Sequence, residues 1–87
     1  MSNLMKVYTE ISVDVEGLGE RIKSAREADL RPLTTICDLI DMTTKNWYQI
    51  EKEVQSLPLE TLRKIETVLG VDFGVTLDQL DPIFLAI

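Results

Sequence analysis

Histidine is absent from the 87 residues of this chain, and cysteine occurs once, at Cys37. Without histidine, the chain lacks the commonest general base and the commonest metal ligand of proteins. The sequence also contains no glycine-rich phosphate loop and no metal-ligand spacing. We therefore expect a protein that is not an enzyme and that uses neither a metal nor another cofactor.

Long hydrophobic runs are missing as well. The longest uninterrupted apolar stretch is residues 83–87, whereas a membrane span needs about 18 residues. Lys6, Glu10 and Asp14 interrupt the N-terminal region, where a signal peptide keeps an apolar stretch. A single cysteine excludes a disulfide within the chain, which is typical of a reducing compartment. These features predict a cytoplasmic protein with no membrane partner.

The net charge of −6 is unevenly distributed along the chain. Residues 1–17 carry one base and three acids, and residues 59–87 carry two bases and five acids. The middle of the chain, residues 18–58, carries six bases and seven acids and is nearly neutral. An acidic protein has no general attraction for nucleic acid, so any such binding has to be local.

Residues 7–15 alternate between apolar and polar side chains, with β-branched residues on the apolar side. This period of two predicts one N-terminal strand with a buried face, ending near Gly17 and Gly19. A single strand leaves backbone groups unpaired. It therefore has to pair with the weakly alternating residues 71–77 or with the same strand of a second copy. The apolar tail at 83–87 also needs cover, and we expect a homodimer through the N-terminal strand, the C-terminal tail or both.

Helical periodicity replaces the alternation after Gly17. Apolar stripes predict helices over about residues 18–28, 32–41, 43–52 and 58–70. Pro32 and Pro58 suit the first turn of their helices, Thr43 or Thr44 suits an N-cap, and Gly70 suits a left-handed stop. We divide the chain into an N-terminal strand or arm (1–17), a helical domain (18–73) and a C-terminal tail (74–87).

The order of the helices matches the helix-turn-helix arrangement. Residues 18–26 (LGERIKSAR) are similar to the first helix of the Cro and lambda-repressor-like family, and residues 57–71 (LPLETLRKIETVLGV) are the most family-like stretch. Ile36-Cys37 stands at the family's Leu-Ala pair, and residues 41–43 stand at its turn. The resemblance spans residues 18–73. It implies a mainly α fold, a helix-turn-helix bundle of four to five short helices, to which this chain adds an N-terminal β-strand.

The resemblance also implies that the helix at about 43–52 reads double-stranded DNA in the major groove. No acidic residue occurs from Met42 through Ile50. Lysine can donate to guanine, asparagine and glutamine can pair with adenine, and a threonine methyl can pack on thymine. We predict that the following residues contact DNA, the first four through bases and the others through phosphate: Thr44, Lys45, Asn46, Gln49, Tyr48, Lys52 and, as the N-cap, Thr43. A solvated helix face is the alternative for the whole set, and Tyr48 in particular suits a surface position equally well.

Three residues are expected to have structural roles. Trp47 falls on the inward side of its helix, where packing in the core is favoured over base stacking. Arg26 and Glu51 stand where the family has a buried ion pair between its first and third helices. Cys37, with no second thiol, is expected to be a buried and inert packing residue.

Some positions depart from the family pattern. Asp41 replaces the turn glycine, Leu33 stands where a phosphate-binding glutamine is frequent, and residues 52–55 (KEVQ) place an acid where the family has glycine and a base. Because phosphate contacts supply much of the affinity, binding by a monomer should be weak. The sequence favours a sequence-specific DNA-binding protein that regulates transcription. The alternative is an antitoxin-like or accessory module that kept the fold, binds a protein partner, and binds DNA weakly or not at all.

Overall fold

The computed structural model describes residues 4–76. Its elements follow in the order β1 (Leu4–Tyr8), β2 (Ser12–Glu16), α1 (Leu18–Ala28), α2 (Leu33–Leu39), α3 (Thr44–Glu51), β3 (Leu57–Pro58) and α4 (Leu59–Leu69). The predicted apolar tail at 83–87 lies outside the described residues.

The expectation of a mainly α bundle with an added strand is wrong. Within residues 4–76, four helices and a three-stranded mixed sheet, about 51% helix and 16% strand, make this an α+β fold. The strand order is β2-β1-β3, in which β1 is antiparallel to β2 and parallel to β3. The sheet and the helices share one core, because Met5 and Val7 of β1 are fully buried in the same cluster as the apolar side chains of the helices.

The single strand predicted over residues 7–15 is also wrong, because this segment belongs to a hairpin. Val7 pairs with Val13 and Met5 with Val15, and the N–H of Thr9 donates to the carbonyl of Ile11 across the turn, at 2.8 Å. The two arms thus satisfy each other's backbone groups within one chain. The alternation continues through the turn, which is why one long strand and a short hairpin look alike in the sequence.

No strand occurs at residues 71–76, so the predicted pairing of the N-terminal strand with 71–77 is not observed there, and residue 77 is not described. The second neighbour of β1 is instead β3, with Val7 opposite Leu57. Phe73 and Val75 are nevertheless buried. Their alternation reflects a segment without regular secondary structure, in which Gly74 has φ 74° and the two apolar side chains pack on the core.

The helices match the predicted segments closely. Pro32 and Pro58 each stand one residue before their helix, as N-caps in extended conformation, and not at its first position as expected. Thr43 is the N-cap of α3, and Gly70 ends α4 in the left-handed region with φ 68°. The fully buried side chains come from strands and helices alike: Met5, Val7, Leu18, Ile22, Ile36, Cys37, Trp47, Ile50, Leu57, Leu62 and Ile65.

Candidate nucleic-acid interface

A turn with a left-handed residue precedes α3 and sets its direction. Asp41 takes the left-handed conformation with φ 56°, as its place at the expected turn glycine requires. The N–H of Met42 donates to the carbonyl of Cys37 at 2.9 Å. The hydroxyl oxygen of Thr43 then accepts the backbone N–H of Asn46 at 3.1 Å. This cap satisfies one of the free N–H groups at the start of the helix.

The inner side of α3 is fixed by packing and by a buried carboxylate. Trp47 and Ile50 are fully buried, as predicted. The indole Nε1 of Trp47 donates to Glu51 at 2.6 Å, and Arg26 of α1 donates to both Glu51 oxygens, at 2.8 and 2.9 Å. The hydrogen bond to Glu51 raises the pKa of Arg26. The pair implied by the family resemblance therefore joins α1 to α3 in this structure.

The loop after α3 fixes the start of α1. Glu53 has φ 59°, a conformation that favours glycine, and its carboxylate accepts the N–H of Gly19 at 2.8 Å. A Cβ at Gly19 would overlap the backbone oxygen of Glu51. The acid at Glu53, which departs from the family pattern, thus has an intrachain role as a cap of α1. Sequence reasoning missed this role because 34 residues separate the two groups.

The outer side of α3 carries five of the predicted contact residues. At about 100° per residue, an arc of about 140° on the helix holds the set Thr44, Lys45, Tyr48, Gln49 and Lys52. Lys45, Tyr48 and Lys52 are exposed, whereas Thr44 and Gln49 are half-buried. Neither Lys45 nor Lys52 forms an ion pair with any residue from 4 to 76. Thr43 is exposed just before this arc.

Asn46 lies outside this arc. It is half-buried, and its side-chain oxygen accepts a hydrogen bond from Gln55 Nε2 at 2.7 Å. The structure therefore ties Asn46 to the loop after α3, about 60° around the helix from Gln49. Helical spacing places Asn46 outside the arc, but the hydrogen bond from Gln55 is a contact that the sequence does not show.

A crevice of about 300 Å³ separates α1 from the outer side of α3. Its lining consists of Glu20, Lys23, Arg26, Tyr48, Glu51 and Lys52. The guanidinium carbon of Arg26 lies 5.7 Å from the centre of the Tyr48 ring. Lys23 was not among the predicted site residues. Its spacing of three from Arg26, which places both on one helix face, is the signal that points to it.

A second, larger concavity lies between α2 and α4. The groove measures about 600 Å³, and Leu39, Ile40 and Val68 supply its apolar lining. Leu39 is 62% exposed. Nearby Cys37 is buried, and burial raises the pKa of its thiol, with a further increase from the carboxylates of Asp38 and Glu51. These conditions make the thiol unreactive at neutral pH.

Comparison with known protein families, with curated proteins and with solved structures finds no match for this chain. No helix within residues 4–76 has the length and apolarity to cross a membrane. In the same part of the chain, no three histidine, cysteine, aspartate or glutamate side chains lie close enough together to hold a metal ion.

Proposed function

We propose that this chain binds double-stranded DNA with sequence preference through α3 and regulates transcription. One observation carries the proposal. The inner side of α3 is held by Trp47, Ile50 and the Arg26–Glu51 pair. Its outer arc bears no carboxylate and two lysines that form no ion pair within residues 4–76. The protein is acidic overall, but the side of α3 that would meet DNA carries no carboxylate. The resemblance of residues 18–73 to Cro and lambda-repressor-like proteins supports the same function.

The proposed contacts follow from side-chain chemistry. A major groove about 12 Å wide accepts a helix, so Lys45 would donate to guanine O6 and N7, Gln49 would pair with adenine, and the Thr44 methyl would meet thymine. Tyr48 and Lys52, further along the helix, would contact phosphate, as would the N-terminal end at Thr43. We assign Asn46 to bracing the following loop, since Gln55 already engages its side chain.

A homodimer in the cytoplasm remains part of the proposal, because two copies would present two α3 helices to two half-sites. Since β1 lies between β2 and β3 in the sheet, a contact through the N-terminal strands would use β2, at the edge of the sheet. Asp14 and Glu16 are exposed on β2 and would repel their counterparts in a second copy. Equilibrium sedimentation at tens of micromolar protein tests this point, and a monomer there would contradict the dimer.

The direct test of DNA binding is selection of bound fragments from a random duplex library at two salt concentrations. We expect enrichment of a palindromic sequence, with affinity that falls steeply as salt rises. Failure to retain any duplex even at low salt would refute the proposal.

Lys45→Ala is the first variant to examine. Loss of a bidentate contact to guanine should cost about 1–3 kcal/mol against the preferred sequence and relax specificity at one position. The protein should unfold at an unchanged temperature, because Lys45 is exposed and unpaired within residues 4–76. Lys64→Ala removes the same charge from α4, outside the proposed DNA surface and beside the α2–α4 groove, and serves as the control. An unchanged sequence preference in Lys45→Ala would count against the assignment.

The groove between α2 and α4 favours a second candidate function, that of a protein-interaction module. An apolar concavity of about 600 Å³ with an exposed Leu39 is a surface that a partner would cover. Leu39→Asp separates the two functions. If DNA is the ligand, this variant should keep the affinity of the wild type for duplex. If the groove binds a protein instead, the variant loses that partner and the wild type retains no duplex.

A further inference from the structure

The crevice between α1 and α3 differs in charge from the acidic chain around it. Arg26 and Glu51 compensate each other through two hydrogen bonds, so the pair adds no net charge. The remaining ionisable groups of the lining are the ammonium groups of Lys23 and Lys52, the carboxylate of Glu20 and the phenol of Tyr48. The crevice is therefore positive overall in a protein whose net charge is −6.

Its two lysines are free to meet a ligand. Lys23 and Lys52 are exposed, and neither forms an ion pair with a carboxylate among residues 4–76. They come from different elements, one from α1 and the other from the C-cap of α3. Tyr48 lines the same crevice and carries a hydroxyl that can donate a hydrogen bond. Two cations and a hydroxyl donor around one concavity suit an anion with several acceptor oxygens.

The crevice is continuous with the outer arc of α3. Tyr48 and Lys52 belong to both, and Lys45 lies seven residues before Lys52, about 10 Å along the same helix side. A duplex whose bases meet Lys45 would thus bring its backbone toward the crevice.

Resting on the proposed function, we infer that this crevice binds a phosphodiester group of the bound duplex between Lys23 and Lys52. The phosphate would bridge α1 and α3, with the Tyr48 hydroxyl donating to it and the Glu20 carboxylate opposing it. Lys23 thereby becomes a DNA-contacting residue outside the reading helix. It would partly replace the phosphate anchors that the sequence lacks at Leu33 and in the loop after α3.

The experiment measures duplex affinity from about 50 to about 200 mM salt for wild type, Lys23→Ala, Lys52→Ala and the control Lys64→Ala. Lys64 lies on α4 and pairs with Glu60 at 3.8 Å, away from the crevice. Each crevice variant should reduce the steepness of log affinity against log salt by about 1 for each copy of the chain on the duplex, and so by about 2 for the proposed dimer. The affinity that the variant loses should therefore shrink by roughly three- to fourfold per bound copy between the two salt concentrations, whereas Lys64→Ala keeps the wild-type slope. Sequence preference should stay unchanged, because phosphate contacts carry no base information.

Glu20→Gln supplies a second test, in which the affinity for duplex should rise instead of fall. Removing the one uncompensated carboxylate of the lining should raise affinity for every duplex, and the gain should fade as salt rises. A role of Glu20 in folding alone would leave affinity unchanged. Circular dichroism and thermal unfolding verify that all four variants keep the fold.

Failure of the inference and failure of the proposed function would give different results. If the wild type binds duplex and Lys23→Ala keeps the wild-type salt slope, the crevice is not a phosphate site and the proposed function stands. If the wild type binds no duplex at low salt, the inference and the proposed function are both refuted.

Discussion

Two arginine–glutamate pairs organise different regions of this molecule. Arg26 and Glu51 connect α1 to α3 at 2.8 Å, and Arg63 and Glu66 pair at 2.7 Å within α4. Each glutamate also accepts one further N–H, from the Trp47 indole at 2.6 Å in the first case and from the Phe73 backbone at 2.9 Å in the second. The chemistry is the same, but the first pair orients a helix and the second anchors the chain after α4.

The two pairs differ in how deeply their side chains are buried. The side chains of Arg26 and Glu51 are 19% and 5% exposed, whereas those of Arg63 and Glu66 are 44% and 10% exposed. Water screens an exposed charge and solvates it when its partner is lost, so the cost of breaking a pair rises with burial. The α1–α3 contact should therefore depend on its ion pair far more than the segment at 73–75 depends on Glu66.

Glu51→Ala should give the largest loss of stability. It leaves Arg26 and the Trp47 N–H without their acceptor, and we expect a loss of about 3 kcal/mol, the lower end for a buried pair because Arg26 keeps some contact with water. This corresponds to a fall in Tm of about 12–24 °C for a domain of this size. Urea unfolding at pH 7 measures it.

A double variant sharpens this result. Arg26→Met with Glu51→Leu removes both charges and should recover much of the lost stability, since apolar replacement of a buried pair is often neutral. If Glu51→Ala alone costs less than about 1 kcal/mol, the pair does not hold α3 as described.

Glu66→Ala should cost less, about 1–2 kcal/mol, mainly because it leaves the buried N–H of Phe73 unsatisfied. Arg63 would keep its hydrogen bond to the Val75 carbonyl. Glu66→Gln is the matched control and should lose roughly half as much, because its amide oxygen can still accept from Phe73. Equal losses in the two Glu66 variants would contradict the role of this hydrogen bond.

A third pair joins Asp29 to Arg31, only two residues further along the chain, and should have the smallest effect and a defined pH window. Three hydrogen bonds from Arg31, one of them from its backbone N–H, lower the pKa of Asp29 to about 2. The pKa of Asp29 is lower in the folded state than its unfolded value of about 3.9, so the ionised carboxylate stabilises the fold at pH values above about 3.9. This contribution is lost as the pH falls through about 2. The small difference in Tm between wild type and Asp29→Asn should therefore exist at neutral pH, shrink as the pH falls through about 2 and vanish below that value. A difference independent of pH would contradict this assignment.

The helices could be predicted because their signals are local. Apolar spacing, Thr43 as a cap and Gly70 as a stop all act within a few residues, and each helix lies within two residues of its predicted segment. The hairpin was missed because its turn at residues 9–11 (TEI) has none of the glycine, asparagine or proline that usually marks one. The two-residue strand β3 is defined by long-range pairing, which no local pattern reports.

In the candidate site, too, the sequence predicts what depends on local spacing and misses what depends on contacts between elements. Periodicity separates inward Trp47 from outward Lys45, but it cannot show that Gln55 engages Asn46 or that Lys23 of α1 lines the crevice beside α3. Both facts depend on contacts between elements. The cap that Glu53 provides for Gly19 is missed for the same reason.

The indole of Trp47 makes α3 observable without a label. It is the only tryptophan of the chain, it is buried, and it donates to the carboxylate that also binds Arg26. Its fluorescence emission therefore reports the environment of this one helix. A red shift would mark the exposure of Trp47 to water when α3 separates from α1. Comparison of this shift with a signal from the sheet, such as far-ultraviolet circular dichroism, would show whether the helix is released before the sheet melts.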